Sequence, residues 1–365
     1  MAEVTAAGAP APRANPDLIG YESAERELRR LHRLGRLPHA ILLCGPRGIG
    51  KATLAFRLTR FLLAKSEEVS TDASGGAVDS GLAIDPESGV FRRVATGAHA
   101  DLLTVERAYD PRRRRLRSEI VVDDTREITG FFRLTAAEEG WRIVIVDGAE
   151  EMNRNAANAL LKILEEPPRH GLLLLVSHCP GRLLPTVRSR CRRFSLSALP
   201  QPMVKQLLRH YRPELAEEES EAVAELAEGS IGRALELADA GGLAPYRSLI
   251  KVMSQIPRLD LAELHSFADK LARPDAEDSY RVVQDLLSQF LARLVISAAR
   301  HQLGGGDMIA GEGEVLQRLT ACANPVRWAA LRDEIDQGFI NTDLLNLDRK
   351  QAVLGAFFAI AEMAQ

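Results

Sequence analysis

Residues 40–53 read AILLCGPRGIGKAT, and few arrangements of backbone accommodate such a run. A short apolar stretch meets a glycine-rich one. Leu54, Leu58, Phe61 and Leu62 then recur at helical spacing. Buried strand, tight turn and helix, in that order, predict an α/β fold with a parallel sheet. The spacing G-x-x-x-x-G-K is met by Gly45, Gly50 and Lys51, and Gly48 adds backbone freedom. A loop of this kind turns its N–H groups toward phosphate oxygens, and the helix that follows adds partial positive charge. Lys51 is placed to reach the outer phosphates of a nucleotide.

One position breaks the pattern. Ala52 stands where a Ser or Thr hydroxyl would hold Mg²⁺. Thr53 does not replace it directly, because one helical step turns a side chain by about 100°; it is kept only as a residue near the nucleotide. Hydrolysis also needs a carboxylate on a neighbouring strand, and Asp147 ends the apolar run WRIVIVD (141–147). The following residue, where a water-orienting Glu is needed, is Gly148. Glu150 and Glu151 come next and are expected to face elsewhere. Two parts of the hydrolytic machinery are therefore altered, each at a cost of ~10²–10³-fold by comparison with removal of single transition-state stabilisers. The residues predict a degenerate nucleotide site that binds ATP weakly or not at all, with magnesium binding impaired and no resident metal.

Two further runs, GLLLLVS (171–177) and RRFSLS (192–197), read as buried strands, and NRNAANALLKILEEPP between WRIVIVD and GLLLLVS reads as a helix stopped by Pro167 and Pro168. Beyond Pro200 the pattern is helical throughout. The expected organisation is a disordered leader over 1–16, rich in Ala, Gly and Pro, and an α/β domain over 17–197. A flexible polar insertion falls at about 66–88 within that domain. A small helical lid over 198–244 and a helical C-terminal domain over 245–365 complete the chain.

Three stretches, GRLPHAILLCGPRGIGKATLA, NAANALLKILEEPP and LPTVRSRCRRF, together resemble the delta-prime subunits of the bacterial DNA polymerase III clamp loader, a family of AAA+ proteins. The resemblance covers roughly residues 16–245. The triplet Ser189-Arg190-Cys191 after LPTVR discriminates best, because generic phosphate-loop proteins lack it. It implies an AAA+ P-loop domain, a lid and an all-α collar domain that closes a hetero-oligomeric ring. Arg190 is then a trans arginine finger, directed at ATP held by a neighbouring motor subunit; a planar, permanently charged guanidinium suits a γ-phosphate. A solvated basic strand edge is the other reading of Arg188, Arg190, Arg192 and Arg193. The implied partners are motor ATPase and delta-like subunits and, through the complex, the sliding β-clamp and primer-template DNA. Ser177 matches the polar sensor of the family, with His178 adjacent in a register one residue away. Arg233 lies beside the second sensor position, which Gly232 occupies, so an ordinary helix arginine is an equal reading. An active AAA+ ATPase, either the motor subunit or a recombination-associated relative, is the alternative function, and Ala52 and Gly148 speak against it.

The chain departs from many relatives in lacking cysteine in the 66–88 insertion, so no zinc is expected. Its four cysteines, Cys44, Cys179, Cys191 and Cys322, are widely separated and read as core or near-core thiols in a reducing compartment. A net charge of −3 excludes a general polycation, which leaves local patches such as Arg112–Arg117, five arginines in six positions. That run is read as a solvated loop or as a contact for DNA phosphates. The first ten residues carry Glu3 and no basic residue, and no apolar run approaches ~20 residues. A cytoplasmic protein with no membrane partner is expected.

Overall fold

The computed structural model describes residues 9–64, 81–110, 115–134, 140–273, 275–300 and 309–365. They divide into two compact units. The first contains the chain up to Val204 together with Gly229–Gly232, and the second contains Lys205–Glu228 and Arg233–Gln365.

In the first unit, helix α1 (Glu22–Arg33) precedes strand β1 (Ala40–Cys44) and helix α2 (Lys51–Leu63). Then come α3 (Gly89–Ala95), β2 (Leu102–Val105), the two-residue strands β3 (Tyr109–Asp110) and β4 (Arg115–Leu116), and α4 (Val122–Arg133). The run closes with β5 (Arg142–Asp147), α5 (Arg154–Glu165), β6 (Gly171–Ser177), α6 (Pro185–Arg188) and β7 (Arg192–Ser195). Five strands form one parallel sheet in the order β2-β5-β6-β1-β7, and β3 pairs with β4 in a separate antiparallel hairpin. The continuous apolar runs of β1, β5 and β6 follow from burial on both faces of the sheet. Leu42, Val144, Val146, Leu173 and Leu175 pack with Leu160, Leu164 and Val187, which fixes α5 and α6 to the sheet.

Strand β6 lies between β1 and β5, so the Asp147 strand is one strand removed from the phosphate-loop strand rather than its neighbour. Each of these parallel connections crosses over through helical segments, which sequence spacing alone does not order.

The expected disordered leader needs correction over residues 9–16. Ala9 and Ala11 are buried and Pro12–Ala14 forms a 3-10 turn. The buried Arg60 of α2 donates to the carbonyls of Arg13 (2.8 Å) and Asn15 (2.7 Å), and Arg57 donates to that of Pro16. Residues 1–8 lie outside the described part. The expected insertion over 66–88 needs a similar correction. Its first part lies outside the described residues, but Leu82 and Ile84 are buried. Arg29 holds the Gly81 carbonyl, and Ser88 caps α3 by accepting from the Phe91 N–H. Two apolar residues are enough to anchor this approach to α3.

Helix α7 (Gln201–Tyr211) passes from the first unit into the second. The second unit then contains α8 (Glu217–Leu226), α9 (Ile231–Asp239), α10 (Ala244–Met253), α11 (Leu261–Leu271), α12 (Glu277–Arg300), α13 (Glu312–Thr320), α14 (Pro325–Leu345) and α15 (Arg349–Met363). Tyr280, Phe290, Trp328 and Phe357 are fully buried in it. The expected lid over 198–244 is not separate from the helices that follow. Gln289 of α12 donates to the Leu226 carbonyl of α8 (3.1 Å), and both helices belong to one unit. Among the described residues, α12 is the one helix long and apolar enough to cross a membrane, and half of its most apolar stretch is buried in the fold.

Candidate functional site

The loop between β1 and α2 needs its glycines. Gly48 and Gly50 have φ of +74° and +101°, where a side chain is strained. At Gly45 (φ +152°) a Cβ would stand 2.3 Å from the Leu196 carbonyl oxygen. Lys51 opens α2 and is buried, and its ammonium turns back into the loop. It donates to the carbonyls of Gly45 (2.9 Å) and Pro46. Burial pulls its pKa down to about 8, against the opposing pull of Asp147 and Glu150. The loop is closed from outside by the segment Gly229–Gly232. Ser230 donates to the Arg47 carbonyl (2.8 Å) and the Gly232 N–H to that of Gly48 (2.8 Å).

The sequence-predicted residues Gly45, Gly48, Gly50, Lys51, Asp147 and Ser177 are brought together at the carboxyl ends of β1, β5 and β6. Thr53 is buried two residues further along α2. Burial raises the Asp147 pKa, with Glu106 adding to the rise and Lys51 opposing it. Gly148 is left-handed (φ +71°), and a Cβ there would lie 2.6 Å from Glu151 Oε2. Glu151 itself pairs with Arg107 (2.8 Å). Glu150 does not face elsewhere, as the sequence suggested. The short turn Ala149–Glu151 sends it back to β6, where its Oε1 accepts from the N–H groups of His178 (2.8 Å) and Cys179 (3.3 Å). Burial opposes ionisation of Glu150, but these bonds, with the buried Ser177 hydroxyl beside it, hold its pKa below the usual value. His178, half-buried and close to Lys51, is pushed down to about 4 by burial and is neutral at physiological pH. The donor set fits a phosphate group. Ala52 offers no oxygen to a metal, Glu151 is paired with Arg107 and Glu150 Oε1 accepts from two N–H groups, while Asp147 stands beside Lys51.

Arg190 lies apart from this loop, two residues beyond α6. Its guanidinium is partly exposed and contacts Glu165 (2.8 Å) and the Thr186 carbonyl (3.0 Å). Arg233 belongs to the second unit, where its charged surroundings are Asp285, Glu228 and Glu236; burial lowers its pKa. Gly232, the residue before Arg233, has no space for a side chain: a Cβ would come within 2.8 Å of Gly48 Cα.

Residues 20–200 match the family model described as "DNA polymerase III, delta subunit". The DNA polymerase III subunit delta' of Pseudomonas aeruginosa is 34% identical over 267 residues, which span 73% of this chain and 73% of that protein. The chain belongs to the delta-prime family. The DNA polymerase III subunit tau of Escherichia coli is 31% identical over 62% of this chain, which covers 33% of tau. A gamma subunit-related protein of Thermotoga maritima, solved as a crystal structure, aligns over 93% of this chain and 99% of its own, with 19% identity and a TM-score of 0.38.

Within this delta-prime family member, sequence reasoning missed Glu150, Ser230 and Gly232 as parts of the loop's surroundings. The signal for Glu150 was its distance from Asp147, three residues, which a 3-10 turn brings round. No local signal marked Ser230 and Gly232, because they reach the loop from a distant part of the chain. Cys179 and Cys322 are exposed, contrary to the core or near-core reading, whereas Cys44 is buried and Cys191 half-buried. Arg112, Arg113 and Arg114 lie outside the described residues; Arg117 is exposed.

Proposed function

We propose that this chain is a largely non-hydrolysing AAA+ subunit of the DNA polymerase III clamp loader. It presents Arg190 in trans to ATP held by a neighbouring motor subunit. Through the assembled complex, with motor and delta-like subunits, it helps place the sliding β-clamp on primed DNA in the cytoplasm. Membership of the delta-prime family supports the clamp-loader role. The observation that carries the non-hydrolysing part is Gly148. Its left-handed backbone (φ +71°) turns the chain where a water-orienting Glu would have to stand and strains any side chain placed there. The defect lies in the turn as well as in the missing carboxylate.

The test is steady-state ATP turnover by the isolated chain beside the assembled complex. Little or no turnover by the chain alone is expected. Ala52→Thr combined with Gly148→Glu, which restores both residue types, is expected to remain about 10²-fold below a motor subunit, since positioning supplies most phosphoryl-transfer catalysis. Turnover by the isolated chain at motor-subunit rates would sink the proposal.

A second expectation concerns the loop itself. Phosphate binds the charged form of Lys51, whose pKa in the free protein is about 8. Affinity for a fluorescent ATP analogue is therefore expected to be steady below that pH and to fall above it, by about tenfold between pH 7 and pH 9. Magnesium is expected to change it little, because Ala52 contributes no ligand. Equilibrium titrations at the two pH values, with and without Mg²⁺, check both statements.

A further inference from the structure

We infer that Glu165 is a positioning residue for Arg190, holding its guanidinium in the orientation from which it meets an anionic group on another subunit. This rests on the proposed trans role of Arg190. Glu165 is the last residue of α5 and Arg190 lies just beyond α6, so the pair joins the ends of two helices. Both helices are fixed in the same core, α5 through Leu160 and Leu164 and α6 through Val187, with Leu183 just before it. The backbone that carries Glu165 is therefore fixed, and its half-exposed carboxylate is placed against Arg190.

Its location has a physical consequence. The C-terminal end of a helix carries partial negative charge, so a carboxylate in the last turn is unfavourable unless a cation accompanies it. Arg190 is that cation, with Nη2 at 2.8 Å from Glu165 Oε1. Its Nη1 donates to the Thr186 carbonyl at 3.0 Å. The two contacts engage separate arms of a planar fork and leave the remaining N–H groups available. They also restrict a long side chain that would otherwise sample many rotamers. That entropy is then lost before the anion arrives, not when it binds. Both side chains retain solvent access, 38% for Arg190 and 52% for Glu165, so the fork is held without being hidden.

The experiment uses the complex reconstituted from all its subunits, with ATP turnover measured over a range of ATP concentrations. Glu165→Gln keeps the side-chain shape and removes the charge. It is expected to lower kcat by about twofold to fivefold, in line with an exposed ion pair, with KM for ATP little changed. The double variant Glu165→Gln/Arg190→Ala is expected to be no slower than Arg190→Ala alone, because Glu165 acts through Arg190. Thermal stability and complex assembly of the single variants are expected to match the unaltered chain, which separates positioning from a merely structural role. An unchanged or increased kcat in Glu165→Gln, with Arg190→Ala impaired, overturns the positioning role and leaves the trans role standing. Losses that multiply in the double variant also overturn it. If Arg190→Ala itself has no effect, the trans role fails and this inference falls with it.

Discussion

On the proposed trans role, Arg190→Ala is expected to reduce hydrolysis at a neighbouring subunit's ATP site by about 10³-fold or more, the scale on which arginine fingers act. The loss should appear in kcat, since a finger that completes the transition state adds little to ground-state binding. Arg190→Lys is expected to recover only a small part. A single ammonium cannot engage Glu165 and the Thr186 carbonyl on separate arms while also meeting a phosphate. Assembly of the complex should be nearly unaffected, because the side chain is partly exposed and contributes nothing to the core of the first unit. The measurement is single-turnover hydrolysis by the reconstituted complex in the presence of clamp and primed DNA. Unchanged hydrolysis in Arg190→Ala would remove the finger role. A loss confined to complexes that fail to assemble would relocate Arg190 to the interface.

The parts of this site that were legible in the sequence are those encoded by short, contiguous runs. AILLC and GLLLLVS announce buried strands because burial on both faces demands uninterrupted apolar residues. The glycines and Lys51 announce the loop because backbone curvature and phosphate chemistry leave few alternatives. Strand β2 was missed for the opposite reason. It is a four-residue edge strand, only partly buried, and its sequence LLTV resembles many loops. Glu150 is expected from the sequence to face elsewhere, but the 3-10 turn Ala149–Glu151 brings it back to β6. Gly232 reads as the occupant of the second sensor position, with Arg233 one residue away, whereas it makes a close approach of two backbones, and nothing local encodes that. The segment 9–16 reads as a leader by composition. Its order comes from Arg57 and Arg60, which lie on α2 and which a helical wheel alone would assign to solvent.

Those two arginines lead to the second large effect. Glu25→Ala is expected to destabilise the first unit by about 3–5 kcal/mol, the cost of leaving a buried charge without its partner. Glu25 and Arg57 are both buried and meet at 2.5 Å. Glu25 also accepts from the Leu82 N–H (3.4 Å), and Gly81 lies so close that an added Cβ would stand 2.4 Å from its carboxylate. One carboxylate thus ties α1 to α2 and to the approach to α3, while Arg57 ties α2 to the chain at Pro16. Glu25→Leu combined with Arg57→Met should cost far less than Glu25→Ala, because it leaves no buried charge unpaired and removes only the weaker bonds to the Leu82 N–H and the Pro16 carbonyl. Urea unfolding of the chain and its variants checks this through the transition midpoints at unchanged slope. Equal destabilisation by the single and double changes would show that packing, not charge pairing, holds this region. Because Arg57 lies on the helix that Lys51 opens, the same ties hold the axis of α2, and with it the phosphate loop. Glu25→Ala is therefore expected to weaken binding of an ATP analogue even at urea concentrations where the chain remains folded.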